Sequence, residues 1–215
     1  MALMAGVFSA YRFEQFASLL GFIAACYLAI LMMFIVHALI LVLSGNNPVH
    51  YFKTVWPVLT FAFVSRSSAA SITLAISAQE KFGVQNTIAN IAASFGSSMG
   101  QNGCAGIYPA IMVAMIAPTI GIDPLSVHFL LAMLPAIALG SIGVAGVGGG
   151  GTFAALIVLS TLNFPVALVG IFIAIEPVVD MARTALNVNG SMMSGVLANR
   201  ILKKSTEKPQ PVNAN

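Results

Sequence analysis

The chain has 215 residues, 59% hydrophobic and only 7% charged, with nine Lys and Arg against six Asp and Glu for a net charge of +3. A soluble domain carries about a quarter charged residues, so this composition cannot cover a water-facing surface, whereas hydrocarbon tolerates it. The basic residues are few and are not interleaved with aromatics, which excludes a nucleic-acid surface, and Cys26 and Cys104 lie in apolar surroundings at a spacing that fits no metal site or disulfide framework.

In chain order, Met1 to Phe8 has no basic leader region and reads as the continuation of a hydrophobic helix, not as a signal peptide. Residues 16–44 are almost purely apolar and long enough for a tilted membrane span, with His37 the only ionisable group, read as a hydrogen-bonded helix residue. Gly45-Asn46-Asn47-Pro48 marks a turn. Residues 54–81 are two short apolar arms around Ser65-Arg66-Ser67-Ser68, which predicts a re-entrant hairpin. Residues 87–118 form one span interrupted by Gly96 to Gly103, whose middle is expected to unwind. Residues 125–162 are again two apolar arms, here around a glycine-rich tip from Gly143 to Gly151, and predict a second hairpin. Residues 165–202 are the last span, and 203–215 a polar tail. The predicted fold is therefore an all-α membrane protein of three transmembrane helices plus two re-entrant helical hairpins.

The order hairpin, then span with Gly100-Gln101-Asn102-Gly103, recurs as hairpin, then span with Asn187-Val188-Asn189-Gly190. Paired interrupted segments of this kind mark repeat-built transporters whose site lies between the repeats. With the tail cytoplasmic, Arg200, Lys203, Lys204 and Lys208 are inside, Lys53 and Lys81 also fall inside, and Arg12 falls outside. The first hairpin then opens from the inside and the second from the outside.

Glu176, Asp180, Arg183, Asn187 and Ser191 step along the last span by 4, 3, 4 and 4, keeping within a stripe about 80° wide. Charges at membrane depth face a protein interior or a wet cavity. An Asp180–Arg183 pair could merely hold helices together, or Asp180 could meet an ammonium group and Arg183 a carboxylate, the two ends of an amino acid. Ser67 and Ser68 offer hydroxyls and amides to a carboxylate at the ends of short helices. Arg66 is either a second site charge or a salt-bridge partner of Glu176 or Asp180. Gly146 to Gly151 formally matches a dinucleotide fingerprint, but no βαβ unit or acidic partner accompanies it. No nucleophile, base and orienter occur together, so an enzyme is not expected.

Ser65 to Ser68, Gly100 to Cys104, the glycine tip and Asp180-Met-Ala-Arg183-Thr184-Ala-Leu-Asn187-Val-Asn-Gly190 resemble the dicarboxylate/amino acid:cation symporter family, the glutamate-transporter homologues. The resemblance covers nearly the whole chain, and residues 98–109 are similar to its bacterial L-cystine uptake branch. It implies an elevator in the bacterial inner membrane, in which a transport domain slides against a homotrimeric scaffold. It further implies that Asp180 binds the substrate amino group, Arg183 a distal carboxylate, and Asn187 and Ser68 the α-carboxylate, with Ser67, Cys104, Thr184, Gly146 and Gly148 lining the pocket. No cofactor is implied beyond a coupling cation, Na+ or H+. Ser98, Gly100, Gln101, Asn102, Ser141, Ile142, Val144, Glu176, Asn187 and Ser191 are its candidate ligands or coupling groups.

Asn102 and Ser191 stand where the family has sodium-ligating carboxylates, which puts sodium there in question and makes proton coupling through Glu176 or Asp180 an alternative. By the same resemblance, residues 1–15 are the end of a scaffold helix, and the family's other scaffold spans and one helix of its transport domain have no counterpart. A non-transporting or partner-dependent fragment and a channel-like pore therefore stand as alternative readings.

Overall fold

The computed structural model describes residues 13–143, 146, 149–165 and 169–206. Among them the secondary structure is entirely helical. The helices are α1 (Phe13–Leu43), α2 (Pro48–Ser65), α3 (Ile72–Lys81), α4 (Asn86–Gly96), α5 (Tyr108–Ile116), α6 (Val127–Gly140), α7 (Gly150–Thr161), α8 (Val169–Ile173) and α9 (Glu176–Thr206). A π-helical turn, Asn102–Ile107, leads into α5, and short 3₁₀ turns follow α5 and α6.

Helix α2 starts at Pro48, ahead of the expected residue 54, because Asn47 and Pro48 together make a strong helix start. The Asn47 side chain accepts from the amides of Val49 at 2.9 Å and His50 at 3.2 Å, and proline at the first position gives up no needed donor. The helix ends at Arg66, which takes a left-handed conformation (φ 53°) while its amide donates to the Ala62 carbonyl at 3.0 Å. Helices α2 and α3 pack side by side, as do α6 and α7.

The interruption expected between residues 96 and 103 is present, with residues 97–101 non-helical between α4 and the π turn. The last expected span, 165–202, differs. It is divided into α8 and α9 by a break at residues 174–175, and α9 continues to Thr206. Pro177 accounts for the break, since it has no amide hydrogen and its ring would strike the carbonyl of Ile173 in a continuous helix. Bonds from Ile175 to Phe172 (3.3 Å) and from Val178 to Ile175 (3.1 Å) bridge the gap.

Two large clusters hold most of the core among the described residues. One gathers Phe22, Tyr108, Met112, Val158, Leu159 and Phe172 from α1, α5, α7 and α8. The other gathers Leu41, Tyr51, Val55, Ala75, Ala89 and Met192 from α1 to α4 and α9. Helices α1 and α9 run through both. Ser18–Leu43 (26 residues) and Asn102–Ile120 (19 residues) are long and apolar enough to cross a bilayer. Helix α1 turns Leu28, Leu31, Met32 and Leu39 outward, each more than half exposed, an apolar exterior that suits lipid.

Candidate functional site

The stripe on α9 faces inward along its length. Glu176, Asp180, Arg183, Thr184, Asn187 and Ser191 are all buried, and Arg183 is wholly excluded from solvent. One guanidinium nitrogen of Arg183, Nη2, donates to Glu176 Oε1 and Asp180 Oδ1, both at 3.0 Å. Its Cζ lies 3.9 Å from the centre of the Tyr108 ring, a cation–π contact. On another side it is pressed by the backbone of Gly151, where a β-carbon would overlap the guanidinium. Arg66, left at the tip by its αL conformation, reaches the second oxygen of Asp180 through Nε at 3.2 Å. The four charges, two guanidiniums and two carboxylates, therefore balance. Arg183 Nε and Nη1 are buried without a hydrogen-bond partner among the described residues. Unpaired donors in so dry a place are costly, and a carboxylate ligand would satisfy them.

Asn187 organises the unwound segment. Its Oδ1 accepts from the amides of Gly103 (2.7 Å) and Cys104 (3.4 Å), while Nδ2 donates to Gln101 Oε1 (3.1 Å) and Cys104 Sγ (3.0 Å). Gly103 admits no side chain here, since a β-carbon would come within 2.9 Å of the Arg183 backbone. Cys104 Sγ also lies 3.9 Å from Asp180 Oδ1.

The two tips touch. The Gly146 carbonyl accepts from the Ala69 amide at 2.9 Å and the Ser67 hydroxyl at 3.2 Å, and Gly100 donates to the Ser141 carbonyl at 3.4 Å. Of the residues singled out for substrate, Ser67 meets Gly146, Cys104 meets Asn187 and Asp180, and Arg183 meets Asp180. Ser68 is buried at the first tip, and Gly148 lies outside the described residues.

The ion candidates fall into separate places. Ser98, Gly100, Ser141 and Ile142 lie beside the tips, with Ile142 61% exposed, and Val144 lies outside the described residues. Gln101 is tied to Asn187. Asn102, Ser191 and Asn187, together with Gly100, line a groove of about 600 Å³ walled by Ile88, Ile91 and Phe95 of α4. Among the described residues no group of three or more His, Cys, Asp or Glu could hold a metal ion.

Sequence reasoning missed Tyr108, and it read His37 as a hydrogen-bonded helix residue without naming its partners. Tyr108, beneath Arg183, carried a usable signal, lying four residues after Cys104 on the segment that enters α5. His37 carried less. Its Nδ1 lies 2.8 Å from Asn189 Nδ2 and its Nε2 3.5 Å from Asn102 Nδ2, while the Tyr51 hydroxyl reaches the Asn189 carbonyl and side chain, both at 3.2 Å. A neutral imidazole offers one donor and one acceptor, so one of the two asparagines turns its oxygen to the ring.

This geometry has close sequence counterparts. The family model described as the sodium:dicarboxylate symporter family matches residues 1–201. The chain belongs to the sodium:dicarboxylate symporter family. Within that symporter family it is 55% identical over 203 residues to an L-cystine uptake protein of Bacillus cereus, a match covering 94% of this chain and 44% of the relative. It is 52% identical over 209 residues to an L-cystine uptake protein of Bacillus licheniformis, covering 96% of this chain and 45% of the relative. It is also 52% identical over 204 residues to a symporter of Haemophilus influenzae, covering 94% of this chain and 46% of the relative. The chain thus spans less than half the length of these curated relatives. Family membership accounts for the apolar exterior, since these symporters are membrane proteins.

Proposed function

We propose that the chain is the substrate-carrying part of a secondary amino-acid symporter that takes up L-cystine across the bacterial inner membrane. The observation that carries this reading is the charge-balanced cluster of buried Glu176, Asp180 and Arg183 with half-buried Arg66, in which two Arg183 nitrogens have no hydrogen-bond partner among the described residues. Asp180 takes an ammonium group and Arg183 a distal carboxylate. Ser68 and Asn187 serve the α-carboxylate, and Ser67, Cys104, Gly146, Gly148 and Thr184 close the pocket. The relatives named for L-cystine uptake supply the substrate.

In this reading residues 16–202 are the transport core, with three spans and two re-entrant hairpins. The assignments of residues 1–15 to a scaffold helix and of 203–215 to a cytoplasmic tail fall largely on residues 1–12 and 207–215, which lie outside the described residues. The core moves as an elevator against a trimeric scaffold, the glycine tip serves as the outer gate, and Na+ or H+ is the coupling cation. Asn102 and Ser191 bring neutral oxygens, which hold sodium less firmly than carboxylates.

The test is accumulation of labelled L-cystine by cells producing the protein as its gene encodes it, compared with Arg183→Ala. Uptake should be lost, and uptake unchanged in a folded variant would overturn the assignment. Separate sodium and proton gradients across vesicles would identify the coupling cation.

A further inference from the structure

Glu176 and Asp180 are both buried carboxylates, one helical turn apart on α9, and both bind the same nitrogen of Arg183 at 3.0 Å. A separation of four residues at about 1.5 Å each places their α-carbons about 6 Å apart along the axis. In a disulfide of ordinary geometry the two α-carbons lie about 5.5–6 Å apart, and each α-carbon of L-cystine bears an ammonium group. The backbone spacing of the two acidic residues thus matches the spacing of the two ammonium-bearing carbons in the ligand, and because both carboxylates reach one nitrogen at 3.0 Å, their bound oxygens lie no more than 6.0 Å apart (3.0 + 3.0). The charges match as well. The site holds two guanidiniums and two carboxylates, and a ligand with two amino-acid ends carries two carboxylates and two ammonium groups. Glu176 has capacity to spare, because among the described residues its Oε1 takes the bond from Arg183 and Oε2 takes none.

We propose that Glu176 is the specificity-determining receptor for the second ammonium group of a two-ended amino acid, with Asp180 receiving the first. This deepens the L-cystine reading and rests on it. Arg183 bonds both carboxylates through Nη2 and has Nε and Nη1, unpartnered among the described residues, for the distal carboxylate, so Glu176 and Arg183 together form a second receptor for an amino-acid end. A ligand that keeps both carboxylates but lacks the distal ammonium leaves Glu176 without its cation. Glu176 is then a substrate contact, which separates it from the coupling cation.

The probe is L-cystine lacking one amino group, the mixed disulfide of L-cysteine and 3-mercaptopropionate. The measurement is its competition, and that of unlabelled L-cystine, against labelled L-cystine on membranes containing the protein as its gene encodes it. The wild type should prefer L-cystine by about tenfold or more, the usual worth of one hydrogen bond to a charged group. Glu176→Gln should bring the two ligands to within about twofold by weakening L-cystine alone, and Glu176→Asp, its carboxylate withdrawn by one methylene, should fall between. Asp180→Asn should weaken both ligands together, since both keep the first ammonium. If Glu176→Gln fails to fold, Glu176→Asp carries the comparison. A variant that binds L-cystine with the wild-type preference intact overturns the role of Glu176 and leaves the L-cystine reading standing. A wild type that binds neither ligand overturns both.

Discussion

Gly151→Ala sets two effects of opposite sign against each other. Gly151 is the second residue of α7, and by helix propensity alone alanine there should stabilise the protein by about 1 kcal/mol. The added β-carbon, however, would overlap Arg183 Nη1 and lie 2.8 Å from Arg183 Cζ, where ordinary contact begins at 3.4 Å, so the guanidinium must yield by at least 0.6 Å (3.4 − 2.8). If that shift is taken along the bonds of 3.0 Å to Glu176 and Asp180, they lengthen to about 3.6 Å, which is no longer a hydrogen bond. Loss of one such charge-assisted bond costs about 1.5–3 kcal/mol and exceeds the propensity gain. The expected outcome is a lower Tm in detergent, followed by near-ultraviolet circular dichroism, together with L-cystine binding weakened about 10- to 100-fold. A Gly151→Ala protein with a raised Tm and unchanged binding would show that α7 retreats freely and that Arg183 is not clamped by its backbone.

The other predictions address neighbouring contacts. Arg66 is one-third exposed, so its pair with Asp180 is screened and worth about 1 kcal/mol, and Arg66→Gln should weaken L-cystine competition only about fivefold. A hundredfold loss would mean that Arg66 touches substrate. Asn187→Ala removes the acceptor of two backbone amides and should cost about 2–4 kcal/mol of stability, read in chemical unfolding, while unaltered unfolding would show that the segment 97–107 is held elsewhere. His37→Leu leaves the amides of Asn102 and Asn189 short of partners and should cost about 1–3 kcal/mol. His37→Gln should recover most of it, and equal losses in the two variants would contradict a hydrogen-bonding role.

Much of the site could be read before the fold was known, because charge is so scarce in this chain that every buried ion stands out. Glu176, Asp180 and Arg183 share one helical face, and the Arg66–Asp180 bridge was one of the pairings that the sequence allowed. The break at 174–175 was signalled by Pro177 but obscured by the apolar run around it, which is equally compatible with one helix or two. The partner of His37 was not readable. Asn189 lies 152 residues away, and a neutral hydrogen bond leaves no complementary charge in the sequence to point to it. The start of α2 was set by two residues, Asn47 and Pro48, that sequence reasoning treated only as a turn.

The carbonyl of Gly146 engages the Ala69 amide and the Ser67 hydroxyl across the tips, and these are donors of the kind that an incoming carboxylate would use. An acceptor arriving there replaces an acceptor already present. The number of hydrogen bonds does not change, so affinity at this contact measures how much better an anion satisfies those donors than a peptide oxygen does. Ser67→Ala removes a bond from the free and the occupied pocket alike and should change affinity far less than its position suggests. The same competition works against small anions with no ammonium group to engage Asp180, because they must displace the carbonyl on the strength of one contact.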